Sequence, residues 1–469
     1  MKDLIDIHHP SEDILKNLFE QHFNEKCIAI EQLAISGSNR IYFRLFSDNQ
    51  SVIGTYSPDA KETQAFISFT KHFEEKGLAV PKLLASDIEN NCYLQEDLGD
   101  IALYTLLPKE GENFPISLVF LYKNILEELA KMQILGRIGL DWSVCYPRPA
   151  FDRQSMLWDL HYFKNYFLKL AKISFDEQLL EDDFNNFIQF LLEAEDNFFL
   201  FRDFQSRNII IKDDKPYFID YQGGRKGALQ YDVASLLFQA KGNIPHSIRE
   251  ELLTHYLDFA EKLMPIDRKQ FMRYYYGFVL IRCLQALGTY GFRGLYERKE
   301  HFIVSIPFAI KNVAWLLENV QIPVEIPELR NCLKAMINSK QYAPFDKSKS
   351  EKSPLTITIS SFSYKKGLPE DTSEHGGGFV FDCRAIENPG RYESYKALTG
   401  QDEQVINFLR NKTNIEEYLM YVYHLVDQSV ENYIDRNFDS LSVHFGCTGG
   451  QHRSVYCAES LNRHLKNKY

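Results

Sequence analysis

The chain has 469 residues, 45% hydrophobic and 25% charged, a globular composition too long for one ordinary core and suited to two or three domains. A formal net charge of −11 argues against a general polyanion-binding surface while leaving room for a local basic pocket. No apolar run approaches the roughly 18–20 residues of a bilayer span, and the opening MKDLIDIHHPSEDILKNLFE lacks the apolar core of a secretory signal, so the expectation is a cytoplasmic protein without a membrane partner.

Taken in chain order, residues 27–57 alternate apolar and polar positions in the short runs CIAIEQLA, IYFRLFSD and SVIGTYS, separated by the turns SGSN and SDNQ, which predicts a small antiparallel sheet. A helix over KETQAFISFTKHFEEKG, stopped by Gly77, leads to two more strands, PKLLASD and NCYLQEDL. From about 101 to 338 the pattern is mostly helical, with one strand-rich interruption, FFLFRDFQSRNIIIKDDKPYFIDYQ. The stretch 339–354, SKQYAPFDKSKSEKSP, reads as a polar linker. Strands and helices then alternate: TITISSFSY, GGFVFDCR, a helix through 403–436, SLSVHFG and a last helix. The expected organisation is a sheet-based lobe over 1–98, a helical lobe over 99–338, the linker, and a separate α/β domain over 355–469. The eight cysteines are scattered without a C-x-x-C pair, which fits buried thiols in a reducing compartment; only Cys447 sits in a setting that suggests chemistry.

That strand-rich interruption carries the chemistry. Asp203 and Asn208 are separated by four residues, and Asp220 follows a hairpin formed by NIIIK and PYFID. Phosphoryl transfer from a nucleotide needs oxygen donors to hold a metal against the phosphates and a carboxylate beside the attacking hydroxyl. In this reading Asp203 is the catalytic carboxylate and Asn208 and Asp220 supply oxygens to Mg²⁺. The competing structural reading makes Asp203 and Asn208 turn residues and Asp220 a strand cap. Asp232, in YDVASLL, is expected to anchor a helix N-terminus and the catalytic loop.

The D-x-x-x-x-N…D pattern resembles the catalytic core of the aminoglycoside phosphotransferase and protein-kinase-like superfamily. FRDFQSRNIII with YFIDYQGGRKGALQYDVASLL looks like the branch of sugar kinases that phosphorylates N-acetylmuramate and N-acetylglucosamine at the anomeric hydroxyl, and the likeness covers roughly residues 10–335. The resemblance implies a bilobal α+β kinase-like fold with an antiparallel-sheet N-lobe and a mainly helical C-lobe, ATP and Mg²⁺ as cofactors, and an amino sugar as acceptor. It implies nucleotide contacts from Gly37, Ser38 and Asn39 in the covering turn GSNRIYFRL and from Gln95, Glu96 and Leu98 at the hinge YLQEDLGD, and a substrate-side helix in FDRQSMLWDLHYFKNYFL. Two departures stand out. Phe201 replaces the histidine that usually opens the loop, and the strand SVIGTYS lacks the phosphate-binding lysine, Lys61 belonging to the next helix.

Near the end of the chain, HFGCTGGQHRS joins a strand to an amphipathic helix. Gly449 and Gly450 let backbone N–H groups converge on an anion, the helix start adds partial positive charge, and Thr448, His452 and Arg453 add donors. The same stretch spells C-x5-R, the arrangement of cysteine phosphatases, with Cys447 as a thiolate nucleophile; the plainer alternative is a small buried residue at a strand end. SFSYKKGLPED, GGFVFDCRAIENPGRYESYKALTGQD and HFGCTGGQHRSVYCAESL together look like the C-terminal domain of the RNase adapter family RapZ. That resemblance implies a hexosamine-phosphate site formed by Asp382, Arg384, Cys447, Thr448, Gly449, Gly450, His452 and Arg453, with Arg391 and Lys396 ranked behind them, and self-association into a homo-oligomer. Gly390 stands where the family commonly has a histidine. RNA binding carries over less readily, since residues 351–469 hold 13 Lys and Arg against 16 Asp and Glu.

Three whole-protein readings follow, in this order: an amino-sugar kinase with a C-terminal phosphosugar site; a nucleotide-binding pseudokinase serving as a metabolite-sensing RNA or protein adapter; and an aminoglycoside or choline kinase.

Overall fold

The computed structural model describes residues 9–33, 39–108, 113–339, 355–369, 378–435 and 438–469. Gly37 and Ser38, and all but the first residue of the 339–354 linker, lie outside the described residues. The chain divides into two compact units, Met1–Pro344 and Phe345–Tyr469. All eight cysteines are free. Among the described residues no helix is long and apolar enough to cross a membrane.

The first unit opens with a helix, Ser11–Phe23, whose Leu15 and Phe19 pack with Phe43, Leu45 and Leu94 on a five-stranded antiparallel sheet. Its strands are β1 (Ala29–Gln32), β2 (Ile41–Phe46), β3 (Ser51–Tyr56), β4 (Leu83–Asp87) and β5 (Cys92–Glu96), in the spatial order β1-β2-β3-β5-β4. The helix Ala60–Glu75 bridges β3 and β4. Asp59 caps it by accepting from the N–H groups of Lys61 and Glu62, and Gly77 at φ +64° follows its end. Its inner face, including Phe66, Phe69 and Phe73, joins the main core shared with the helical lobe.

The helical lobe is built on Ile116–Ile134, Arg153–Phe163, Glu177–Leu191, Leu229–Leu237, His246–Leu263, Arg268–Tyr290, Ile306–Asn319 and Pro327–Ile337. Two small ribbons interrupt it. Strand β6 (Phe198–Leu200) pairs antiparallel with β9 (Arg225–Gly227), and β7 (Ile209–Lys212) pairs with β8 (Lys215–Phe218). Asp213 and Asp214 at the hairpin tip both take positive φ, 52° and 59°, the geometry a two-residue turn needs to match strand twist. The ribbons therefore tether the segment 201–224 at both ends and in the middle.

The second unit is a three-stranded parallel sheet, β10 (Thr356–Ser363), β11 (Phe379–Asp382) and β12 (Ser440–Cys447), ordered β10-β12-β11, with the helices Glu403–Lys412, Ile415–Asp435 and Arg453–Lys468. The single helix expected over 403–436 is two helices. Thr413 is extended, and its hydroxyl accepts the Ile415 N–H at 3.3 Å, restarting the chain as a new helix.

Candidate functional site

Asp203, Asn208 and Asp220 line one cavity of about 570 Å³ in the first unit. Strand β6 delivers the chain to Phe201, whose ring packs against Phe204 and Phe218 and is fully buried. The Phe201 and Arg202 N–H groups donate to Asp232 at 2.7 and 3.1 Å, fixing the loop to the helix Leu229–Leu237. Burial raises the Asp232 carboxyl to about 7, against the hydrogen bonds from those two N–H groups. Arg202 takes φ +82° and grips Asp159 at 2.7 and 2.5 Å, tying the loop to the helix Arg153–Phe163. Asp203 is thereby held half-exposed, with its Oδ1 3.5 Å from Arg282 Nη2.

Asn208 donates from Nδ2 to the Asp203 carbonyl at 2.9 Å and to Asp220 Oδ2 at 3.3 Å. The hairpin returns the chain so that the Ile219 N–H meets the Asn208 carbonyl at 3.0 Å, and Asp220 follows at φ +70°. A non-glycine residue held there is strained, and such strain persists where the surroundings over-determine it. Asp220 also accepts from Gln222 Nε2 at 3.0 Å and from Arg40 Nη2 at 2.5 Å. With Nδ2 of Asn208 used as donor, its amide oxygen and the Asp220 carboxylate form a two-oxygen set. That set suits Mg²⁺, which takes few protein ligands and completes its shell with phosphates and water.

Of the expected hinge residues, Gln95 is buried, Glu96 pairs with Lys212 at 2.8 Å and Leu98 is buried. Asn39 is exposed. The sequence reading missed Arg40, Glu62, Arg225 and Arg282, all of which line the cavity. Arg225 is buried, donates from Nε to its neighbour's carbonyl at Gly223, and has no ion pair among the described residues. Burial, with Arg202 beside it, lowers its pKa.

In the second unit, the C-terminal ends of the parallel strands gather the remaining candidates. Asp382 ends β11 and holds Arg384 at 2.7 Å, and the Arg384 guanidinium lies 3.8 Å over the Tyr364 ring. Cys447 ends β12, buried, accepting from the Gly450 N–H at 3.2 Å and lying 3.1 Å from Ser454 Oγ. Burial raises the thiol pKa, but the Ser454 and Gly450 hydrogen bonds and the Arg453 charge outweigh it, and the net displacement is downward. Gly450 sits at φ +67°, and an added Cβ would stand 2.9 Å from the Ser363 nitrogen, whereas one on Gly449 would meet open space. The Thr448 carbonyl accepts from Ser363 Oγ at 2.8 Å. Arg453 is buried and donates from Nη1 to the Arg384 and Ile386 carbonyls at 3.0 and 2.6 Å. His452 is buried as well, with Nε2 2.9 Å from the Tyr395 carbonyl and its ring against Gly390. Those two side chains therefore brace the loops around the site, while Arg384 remains half-exposed at its rim.

A sheet lobe over a helical lobe, with a loop carboxylate and an Asn–Asp pair at their junction, defines a kinase-like phosphotransferase fold. Residues 29–266, just over half the chain, match the model of the phosphotransferase enzyme family, and residues 355–469 match the RapZ C-terminal domain. The chain belongs to the phosphotransferase enzyme family, and it carries a RapZ C-terminal domain that follows the kinase-like unit in sequence. It is 39% identical over 124 residues to a nucleotide-binding protein of Fervidobacterium nodosum, covering 26% of this chain and 42% of the relative. It is 35% identical over 119 residues to one of Pseudothermotoga lettingae, covering 25% and 41%. The chain thus spans about two fifths of the length of the curated relatives it matches. Similar solved structures include an ethanolamine kinase of Plasmodium vivax (15% identity, 61% of this chain, 81% of that one, TM-score 0.44) and a choline kinase of Cryptosporidium parvum (13%, 69%, 99%, 0.47).

Proposed function

We propose that the chain is an ATP- and Mg²⁺-dependent phosphotransferase acting on a hydroxyl of an amino sugar of the N-acetylmuramate or N-acetylglucosamine type, with a hexosamine-phosphate site in its C-terminal domain. The observation that carries the reading is the convergence of Asp203, Asn208 and Asp220 on one cavity. Asp203 orients the acceptor hydroxyl and takes its proton, Arg282 steadying the carboxylate. Asn208 and Asp220 are the residues that would hold a Mg²⁺ ion, which would supply neutralisation of charge on the phosphates. The Asp232 contacts keep the Asp203 loop in place before substrate arrives.

The cavity wall supports the acceptor class. Arg40, Arg207, Arg225, Lys241, Arg282 and Arg293 line it against the carboxylates of Glu62, Asp203 and Asp220, a net positive wall, and Arg225 has no ion pair among the described residues. A polycationic aminoglycoside or a choline headgroup would add like charge to that wall, whereas the carboxylate of N-acetylmuramate would supply the missing counter-ion. In the second unit, Arg384 and the glycine loop lie at the carboxyl ends of parallel strands, a recurrent ligand position in α/β folds.

The test is phosphate transfer from ATP with Mg²⁺ across N-acetylmuramate, N-acetylglucosamine, glucosamine, choline and kanamycin. The N-acetylated sugars are expected to turn over, and Arg225→Gln is expected to raise KM for N-acetylmuramate more than for N-acetylglucosamine. Turnover confined to choline or kanamycin would reject the acceptor assignment. Calorimetry of glucosamine-6-phosphate with the full chain and with Arg384→Ala tests the second site; equal binding to both would remove Arg384 from it.

A further inference from the structure

A kinase-like site needs a cation on the nucleotide phosphates, and β3, where a strand lysine would stand, has none: its residues are Ser51, Val52, Ile53, Gly54, Thr55 and Tyr56. The residue just before the neighbouring strand supplies one. Arg40 precedes β2, whose Ile41 pairs with Tyr56 and Tyr42 with Thr55, so Arg40 enters the cleft beside the C-terminal end of β3. Its side chain is only 9% exposed and bridges the two lobes: Nη2 lies 2.5 Å from Asp220 Oδ1, and Nε lies 3.7 Å from Glu62 Oε2. Glu62 belongs to the first turn of the helix Ala60–Glu75, on the far side of β3 in sequence. One guanidinium therefore touches both the helix carboxylate and the metal-site carboxylate.

We propose that Arg40 is the phosphate-binding cation of this site, taking over, from the position just before β2, the role that the lysine-free β3 cannot fill. The proposal rests on the phosphotransferase reading above. Three features support a ligand-directed role over a purely structural clasp. Arg40 lines the cavity rather than the core. Its Nε faces Glu62 at 3.7 Å without a hydrogen bond, so the protein leaves the guanidinium incompletely satisfied. Its strongest partner is the carboxylate assigned to the metal, so a cation and a metal site share one corner of the cavity, as phosphates bridging the two would require. Arginine also suits the task, since its planar fork can meet two phosphate oxygens at once. Glu62 then acts as a positioning residue: burial raises its pKa while the Arg40 charge opposes that rise, and it holds the guanidinium toward the cleft from the helix side.

The discriminating experiment is calorimetric binding of ATP and of adenosine to the full chain and to Arg40→Gln, Arg40→Lys and Glu62→Gln, with melting temperatures recorded alongside. A phosphate contact predicts that Arg40→Gln weakens ATP by roughly ten- to hundred-fold while adenosine affinity is unchanged, and that Arg40→Lys recovers part of the loss. Glu62→Gln is expected to weaken ATP less than Arg40→Gln does. Equal losses for ATP and adenosine, or no loss for either, would overturn the assignment even if the wild type transfers phosphate. A wild type that binds no ATP and transfers no phosphate would instead remove the phosphotransferase reading beneath it.

Discussion

The Arg202–Asp159 pair offers the sharpest test of how the Asp203 loop is held. The Asp159 side chain is 9% exposed and that of Arg202 16%, and two hydrogen bonds of 2.7 and 2.5 Å join them. Asp159→Ala would leave the guanidinium with the Tyr231 hydroxyl at 2.5 Å and the face of Phe151 at 4.9 Å. It would also leave it facing Arg225 and Arg282, whose charges interact with its own. Removing one partner of a buried pair costs about 3–5 kcal/mol, and the surviving contacts place this case near the lower end, about 3 kcal/mol. Urea unfolding monitored by tryptophan fluorescence measures it. Arg202→Met added to Asp159→Ala is expected to recover part of the loss, because the stranded charge is gone. Because Arg202 adjoins Asp203, kcat should fall in Asp159→Ala while ATP affinity stays constant. A cost below about 1 kcal/mol, the value of an exposed pair, would refute the argument that this contact anchors the loop.

Further outcomes follow from other contacts. Asp232, raised by burial from 3.8 to about 7, binds its proton more tightly folded than unfolded, so its contribution is present below its unfolded value and is lost as pH rises through 7. Unfolding at about pH 5.5 and about pH 8 should therefore show wild type losing stability relative to Asp232→Asn, at up to about 1.4 kcal/mol per pH unit; parallel profiles would contradict it. Gly450→Ala is expected to destabilise the second unit by about 1–3 kcal/mol through φ +67° and the 2.9 Å approach to Ser363, whereas Gly449→Ala has open space; thermal melts of the two variants compare them. Iodoacetamide alkylation followed by mass spectrometry should show Cys447 with a lower apparent pKa than Cys457, whose thiol is pushed well up, and Ser454→Ala should raise it.

What the sequence discloses depends on how local the determinant is. The Asp203, Asn208 and Asp220 triplet is readable because one short hairpin closes it, and β10, β11 and β12 are readable from their apolar runs. Arg40 is not, since its partner Asp220 lies 180 positions away and no local pattern distinguishes it from a surface arginine. Arg225 follows a Gly-Gly pair that suggests only a turn; its burial depends on the β6–β9 pairing. The helix Ser11–Phe23 has ordinary amphipathic spacing, but the apolar face has meaning only against the sheet it covers. Arg453 illustrates the converse: its place in C-x5-R suggests anion contact, while tertiary packing sends Nη1 to the Arg384 and Ile386 carbonyls.

The most direct test of the central claim is a single-turnover phosphate-transfer measurement with N-acetylmuramate, ATP and Mg²⁺, comparing wild type with Asp203→Asn after ATP binding to both is confirmed by calorimetry. The wild type is expected to transfer phosphate, and the variant to lose at least roughly a hundred-fold at unchanged ATP affinity. Transfer at equal rates by both proteins would contradict the assignment of Asp203.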